Sequence, residues 1–302
     1  MSKVSICIPT YNNLEQVIQL LRSIEEQTYR NVEVIITDDS QNEEIAEWIQ
    51  NNRERLQCLK NCQYQHNEQP LGHIFNWNEA LKKATGTYIK IMFSDDWFTY
   101  PDSLEKMVNE LENHPKVGLV YSGTMQVSKE KSYARCGSEE FIKRFEEDYR
   151  YLFIDYQIGA PSAALYRACD CYFDERSTFA SDVFLFMRIL KKNPHAICMK
   201  EPLISIGIHE QQYTCDFAKL DERKFRDYEI LFQEYHMAEK QEYREWFLTK
   251  YIIPYGKGGS YAKKVGIPYR EYVWQQGKLL WWKLTVGYPH GVKKRLGLLK
   301  EE

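Results

Sequence analysis

The 302-residue sequence has no apolar run approaching the roughly 20 residues that a helical membrane span requires. It has little net charge, −3 in all, so no global excess of cations points to nucleic acid. No Gly-x-Gly-x-x-Gly fingerprint is present, which argues against a dinucleotide-dependent oxidoreductase. Its eight cysteines are scattered. Neither Cys58/Cys62 nor Cys169/Cys171 has a matching second pair at zinc-site spacing, so reduced thiols are expected. Met1-Ser2-Lys3 leads straight into a strand-like run, so no signal peptide is expected and a cytoplasmic protein is. Internal repeats and low-complexity tracts are absent.

Charge is present but unevenly placed. From Trp246 onward Lys and Arg outnumber Asp and Glu by 11 to 3, so a basic C-terminal stretch follows an acidic remainder. Lys278 to Leu284 and Val292 to Lys300 interleave basic, Trp and Leu residues. Such segments lie in an anionic membrane interface without spanning it, or pack on a core with their lysines solvated. The first alternative makes the protein peripheral on the inner face of a membrane.

The N-terminal half alternates strand and helix patterns. Val4 to Ile8, Val32 to Thr37, Tyr88 to Phe93 and Val117 to Tyr121 read as buried strands, with a weak strand near Tyr64. Helical spacing joins Leu14, Val17, Ile18, Leu21 and Ile24, with Asn12 and Glu15 set for a capping box. It recurs through Ile45, Trp48 and Ile49; through Ile74, Trp77, Leu81 and Ala84, stopped by Gly86; and through Leu104, Met107, Val108 and Leu111, with Pro101 near the first turn. Beyond about residue 125 the alternation loosens. Phe141 to Tyr151 and Ser181 to Lys192 read as helices. Ile158 to Tyr166 reads as a strand with a Gly-Ala-Pro kink, and Ala196 to Met199 and Leu203 to Ile208 as two short strands. From about Phe217 the pattern is helical. Alternation with short connections implies a mainly parallel sheet, whose ligands bind beyond the carboxyl ends of its strands.

The residues with chemistry follow strands: Pro9-Thr10-Tyr11-Asn12 the first, Asp38-Asp39 the second, and Asp95-Asp96 the strand from Tyr88 to Phe93. Adjacent carboxylates are costly unless a cation offsets them, and Mg²⁺ or Mn²⁺ held with substrate phosphates does so. A solvated, capped turn is the plainer alternative for each pair.

Six segments in order resemble the inverting family 2 glycosyltransferases with a GT-A fold catalytic domain. They are Val4 to Asn12, Val34 to Ser40, Gly72 through Asn78 and on to Asp96, Gly159 to Ala163, Phe179 to Leu185, and His209 to Thr214. The resemblance covers about residues 1–215. It implies an α/β fold with a mixed, mainly parallel sheet flanked by helices, a nucleotide-binding half at 1–125, an acceptor half at 126–215, and a helical, basic and aromatic extension at 216–302. Ser94 stands where many relatives carry an acidic residue, and Ser181 where many carry an acidic residue or Thr.

By the same resemblance, Thr10, Tyr11 and Asp39 hold the nucleotide base, with Pro9 and Asp38 nearby, while Gly72 and Asn78 support the donor pocket. Asp95 reaches the ribose or phosphates. Asp96 ligates Mn²⁺ or Mg²⁺, with His209 as a second ligand. Pro161 and Ser162 line the acceptor side, and Asp182 is the general base. The implied reaction moves a sugar from a UDP- or dTDP-sugar to a saccharide or lipid-linked saccharide in surface polysaccharide or lipopolysaccharide assembly. No protein nucleophile is needed, in keeping with the lack of a Ser-His-Asp or Cys-His pattern. A GDP-sugar-dependent transferase and a non-catalytic nucleotide-sugar or glycan-binding module are the alternatives. A sugar-1-phosphate nucleotidyltransferase is disfavoured, because the loop after the first strand has no Gly.

Overall fold

The computed structural model describes residues 2–209 and 220–282. Its contacts divide the chain into two compact units, 1–217 and 218–302. The expected boundary at 215/216 lies outside the described residues.

The first unit runs β1 (Val4–Thr10), α1 (Leu14–Glu25), β2 (Val32–Asp38), α2 (Glu44–Asn52), α3 (Gln57–Lys60), β3 (Gln63–His66), α4 (His73–Lys82), β4 (Tyr88–Ile91), β5 (Asp96–Phe98) and α5 (Ser103–Asn113). It continues with β6 (Leu119–Val127), β7 (Ser132–Arg135), α6 (Glu139–Glu147), β8 (Ala164–Arg167), α7 (Ser181–Lys192) and β9 (Ala196–Gly207). One sheet holds the strands in the order β3-β2-β1-β4-β8-β6-β9-β5, with β7 added on β6. The four strands from β3 to β4 are parallel. Beyond them β8 runs antiparallel to β4 and β6, β9 is parallel to β6, and β5 closes the edge antiparallel to β9.

The parallel half is why the N-terminal strands read as unbroken apolar runs. Helices cover both faces, so all seven residues of β1 are buried. Helix α1 supplies Val17, Leu20, Leu21 and Ile24 to that core. Burial of each such side chain stabilises by roughly 1.5–3 kcal/mol.

Four local expectations are corrected. Asn12 does not form a capping box. Its φ is +54°, and its side chain accepts from the Gln41 N–H at 2.9 Å while its own N–H donates to Ser40 Oγ, so it ties the first strand-end loop to the second. Gly86 does not stop α4, which ends at Lys82. A Cβ at Gly86 would lie 2.7 Å from the Ser5 backbone nitrogen, so the glycine serves a close chain approach. The kinked strand at 158–166 is a 3₁₀ turn, Pro161–Ala163, leading into the short β8. The two strands at 196–208 are one, β9, with a register shift opposite Ser122 to Thr124.

The second unit is helical over its described residues: α8 (Glu222–Glu234), α9 (Gln241–Phe247), a π-turn at Leu248–Ile252, α10 (Gly259–Lys264) and α11 (Tyr269–Trp282). Asp221 caps α8 by accepting from the Arg223 N–H. Phe225, Phe232 and Phe247 stack at its centre. Among the described residues no helix is long and apolar enough to cross a membrane. The tail expected at Val292 to Lys300 lies outside them, as does Lys283 onward.

Candidate active site

Two cavities open beyond the carboxyl ends of β1, β2 and β4, and both are walled by Trp77 and Phe93. The two rings pack with centroids 4.7 Å apart.

The first cavity, about 420 Å³, is lined by Pro9, Thr10, Tyr11, Asp39, Gly72 and Asn76 among others. Asp39 is its best-anchored polar group. Oδ1 accepts from Asn67 Nδ2 at 2.7 Å and from the Leu71 N–H, while Oδ2 accepts from the Gly72 N–H at 2.9 Å. The carboxylate thereby fixes the loop ahead of α4. Gly72 makes this loop possible, since its φ of +86° is strained for any residue with a Cβ. Asn76 donates to the Thr10 and Thr37 carbonyls and holds β1 to β2. Thr10 Oγ1 is buried there with no hydrogen-bond partner, a donor and acceptor left for a ligand. Tyr11 is 50% exposed at the rim, where an aromatic face can flank a base.

The second cavity, about 450 Å³, is lined by Asp95, Asp96, Pro161, Ser181 and Asp182, together with Tyr156 and Arg135. His209 Nε2 pairs with Asp95 Oδ2 at 3.1 Å. Asp96 is almost wholly buried. Burial and the neighbouring Asp95 push its carboxyl well above the usual range, opposed by a Ser162 hydrogen bond and the charge of Lys90. Lys90 is itself fully buried in β4 and donates to the Ser162 and Ala164 carbonyls. Burial lowers its ammonium to about 7, against the pull of Asp96. Asp182, in the first turn of α7, is pushed up to about 7 by desolvation, and a hydrogen bond from Tyr156 pulls it partly back.

The structure therefore gathers Pro9, Thr10, Tyr11, Asp39 and Gly72 at one cavity and Asp95, Asp96, Pro161 and Asp182 at the other, with His209 against Asp95. Three expected residues stand back from the lining. Asp38 is fully buried and accepts from the Ser40 N–H and from the Tyr64 hydroxyl at 2.7 Å, so it braces the loop. Ser162 lies behind the wall, where its hydroxyl accepts from the Phe93 N–H and bonds Asp96. Asn78 is displaced from the donor pocket. Its amide closes two hydrogen bonds with the Phe173 backbone, at 3.1 and 2.9 Å, on the opposite face of α4 from Asn76. The segment after His209, from 210 to 214, lies outside the described residues.

Sequence reading did not single out Asn76, Lys90 or Tyr156. The signal for Lys90 was available, as a lone cation inside an otherwise apolar strand. Nothing local marks Tyr156, which reaches Asp182 only through the fold.

Among the described residues no group of three or more His, Cys, Asp or Glu side chains is placed to hold a metal ion together. Asp95 and Asp96 stand side by side at the second cavity with His209 against Asp95, so a hard divalent cation there would need most of its ligands from outside these side chains, such as phosphate oxygens.

Residues 5–171 match the model of Glycosyl transferase family 2. The Bacillus subtilis glycosyltransferase YwdF, itself uncharacterized, is 31% identical over 182 residues, 60% of this chain and 63% of its own. The Erwinia amylovora amylovoran biosynthesis glycosyltransferase AmsB is 26% identical over 66% of this chain and 67% of its own. In relatives from Rickettsia bellii, Bacillus subtilis and Methanocaldococcus jannaschii the matched part spans 18%, 63% and 54% of their lengths, less than two thirds in each. Residues 1–349 of Staphylococcus aureus TarS, solved with UDP-GlcNAc, superpose with a TM-score of 0.62 at 17% identity, over 84% of this chain and 74% of that TarS chain. The mannosyltransferase PcManGT of Pyrobaculum calidifontis, solved with GDP-Man and Mn²⁺, gives 0.55 at 16% identity, over 99% of this chain and 81% of its own. The fold is GT-A.

Proposed function

Because the chain belongs to glycosyl transferase family 2, whose model covers more than half of it, we propose that it transfers a sugar from a nucleoside-diphosphate sugar to an acceptor hydroxyl with inversion. The observation that carries this reading is the convergence of Asp95, Asp96 and Asp182 on one cavity, sharing its Trp77–Phe93 wall with the cavity of Thr10, Tyr11 and Asp39.

The first cavity takes the nucleotide. Tyr11 flanks the base, the Thr10 hydroxyl finds its missing partner on the ligand, and Asp39 keeps the 70–72 loop in place. The diphosphate then extends past Trp77 toward Asp95. A divalent cation, Mn²⁺ or Mg²⁺, would be held by Asp95, Asp96 and His209 together with the donor phosphates. When bound, the cation acts as a Lewis acid that draws charge from the departing diphosphate. The acceptor enters by Pro161, and Asp182 takes its hydroxyl proton. A carboxyl near 7 is a stronger base than an ordinary aspartate and still half ionised at neutral pH. One displacement needs only this one base.

Uridine donors are favoured by similarity. Escherichia coli WfaP, 36% identical over 101 residues, is named for UDP-Glc as donor, a diphosphoundecaprenol-linked sugar as acceptor and a β-1,3 linkage. With the name of AmsB, it supports polysaccharide assembly on a lipid-linked acceptor, which brings the enzyme to a membrane surface. PcManGT supports a GDP-sugar as the second reading.

A thermal-shift series with UDP, dTDP and GDP, each with and without Mn²⁺, tests the donor site, since ligand binding to the folded state raises the melting temperature. Metal-dependent stabilisation strongest with UDP or dTDP is expected. Silence toward every nucleotide in the presence of metal would overturn the reading.

A further inference from the structure

Among the described residues that line the two cavities, Arg135 is the single Lys or Arg. It shares its cavity with Asp95, Asp96 and Asp182, yet its guanidinium has no ion-pair or hydrogen-bond partner among the described residues. A guanidinium keeps its charge at any working pH. The cavity thus presents an uncommitted cation as well as carboxylates.

Strand β7 brings Arg135 there. All four of its residues are exposed, so the strand adds nothing to the core. It pairs with β6 at 124–127, just past the stretch at 119–121 that β8 occupies. Residues directly opposite each other in an antiparallel pair project to the same face. Arg135 stands opposite Thr124 and Tyr133 opposite Gln126, and both Thr124 and Gln126 line the cavity. Tyr133 therefore continues the cavity face one side-chain step beyond Arg135, about 7 Å along the strand. Tyr133 is 47% exposed, and Lys131 Nζ lies 5.5 Å from the centre of its ring. An aromatic residue and two cations thus follow one another along a hairpin arm that no packing requirement explains.

We propose that the β6–β7 hairpin is the acceptor subsite and that it selects a saccharide bearing a negative charge, a phosphate or a carboxylate, beside its reacting sugar. This deepens the transferase reading above and rests on it. The face of a tyrosine ring is the negative part of its quadrupole and receives the polarised C–H bonds of a sugar ring. The planar guanidinium matches either oxyanion with two parallel hydrogen bonds. Three carboxylates in the cavity repel an incoming anion; Arg135 and Lys131 supply the opposite charge along its approach.

Saturation-transfer NMR on the full chain compares methyl glucoside, glucose 1-phosphate and methyl glucuronide, each with and without UDP and Mn²⁺. At least one anionic probe should bind about tenfold or more tightly than the neutral one, and the tighter of the two tells phosphate from carboxylate. Arg135→Gln should erase that preference and Arg135→Lys recover part of it. Tyr133→Thr, which keeps strand propensity, should weaken all three probes by roughly two- to tenfold. The variants should melt like the parent, since both positions are exposed, and should keep the nucleotide-dependent thermal shift. Equal affinity for the three probes would overturn the proposal, as would binding of none or a preference that survives Arg135→Gln. Loss of the nucleotide shift in Arg135→Gln would assign the residue to the donor diphosphate and overturn it too. Anion preference in a parent chain that shows no nucleotide shift would support the subsite while removing the donor reading.

Discussion

His209 Nε2 and Asp95 Oδ2 lie 3.1 Å apart across 114 positions of sequence. The contact joins the far end of the sheet unit to the turn between β4 and β5, where two carboxylates stand side by side. The imidazole of His209 is a hydrogen-bonding partner of the Asp95 carboxylate. A dication taken up there would replace one attraction with a stronger one and leave His209 free to become its ligand through the same nitrogen. Removal of metal by chelation should therefore abolish the nucleotide-induced thermal shift, and Mn²⁺ or Mg²⁺ should restore it. His209→Ala should raise the metal concentration needed for half-maximal shift by roughly 10–100-fold, the range seen when metal-site partners are lost. An unchanged metal requirement would remove His209 from the site.

Asp182→Asn should lower turnover by about 10²–10⁴-fold, the usual contribution of a positioned base, while the nucleotide-induced thermal shift persists. In the parent enzyme kcat should fall as pH drops below about 7, because the protonated carboxyl cannot accept a proton. Stability carries the opposite sign. The folded carboxyl titrates near 7, above its unfolded value of about 3.9. The stability it contributes is complete below about pH 4 and is lost as pH rises through 7. Asp182→Asn should thus melt above the parent at pH 8 and no higher at pH 4. Near-normal turnover in the variant would end its assignment as base.

The order of strands and helices around the cleft was legible because the parallel strands are buried on both faces and the helices on one. Asp39, Asp95 and Asp96 stood out for a related reason: each stands just after a strand, where topology brings side chains to one rim, whereas Asp182 was singled out only by the resemblance of its segment. What the sequence concealed depends on direction rather than position. Asn76 and Asn78 are two residues apart on α4 and so point to different faces, one toward the Thr10 and Thr37 carbonyls and the other toward Phe173. Asn12 was hidden by a positive φ that turns its amide away from the helix it precedes. The partnership of Asp182 with Tyr156 spans two elements with no shared pattern.

The two asparagines make a paired test. Asn76→Ala should weaken nucleotide binding, because the loops after β1 and β2 lose the amide that spans them. Asn78→Ala should leave nucleotide affinity unchanged and destabilise the fold by about 1–3 kcal/mol, the cost of leaving the buried Phe173 N–H and carbonyl unpaired. Chemical denaturation and nucleotide titration of both variants separate the two outcomes; a loss of nucleotide affinity in Asn78→Ala alone would reverse the assignment.

Lys90 offers a test of how the site keeps two adjacent carboxylates. Its ammonium is the buried cation nearest in effect to Asp96, and it also holds the carbonyls of Ser162 and Ala164, so it sets the turn from which Ser162 reaches Asp96. Lys90→Met preserves length and apolar bulk but removes the charge and both donors. Asp96 would then face burial and Asp95 with only Ser162 to oppose them. The variant should lose about 1–3 kcal/mol of stability, the cost of leaving the buried Ser162 and Ala164 carbonyls without their donor. Its crystal structure should show the Pro161–Ala163 turn moved away from Phe93. Lys90→Arg, which keeps the charge but not the space, should recover part of the metal-dependent nucleotide shift if charge is the main role and none if the fit of the turn is. Full stability in Lys90→Met would mean that Asp96 is already neutral in the folded protein, and the cation would then bind by displacing a proton.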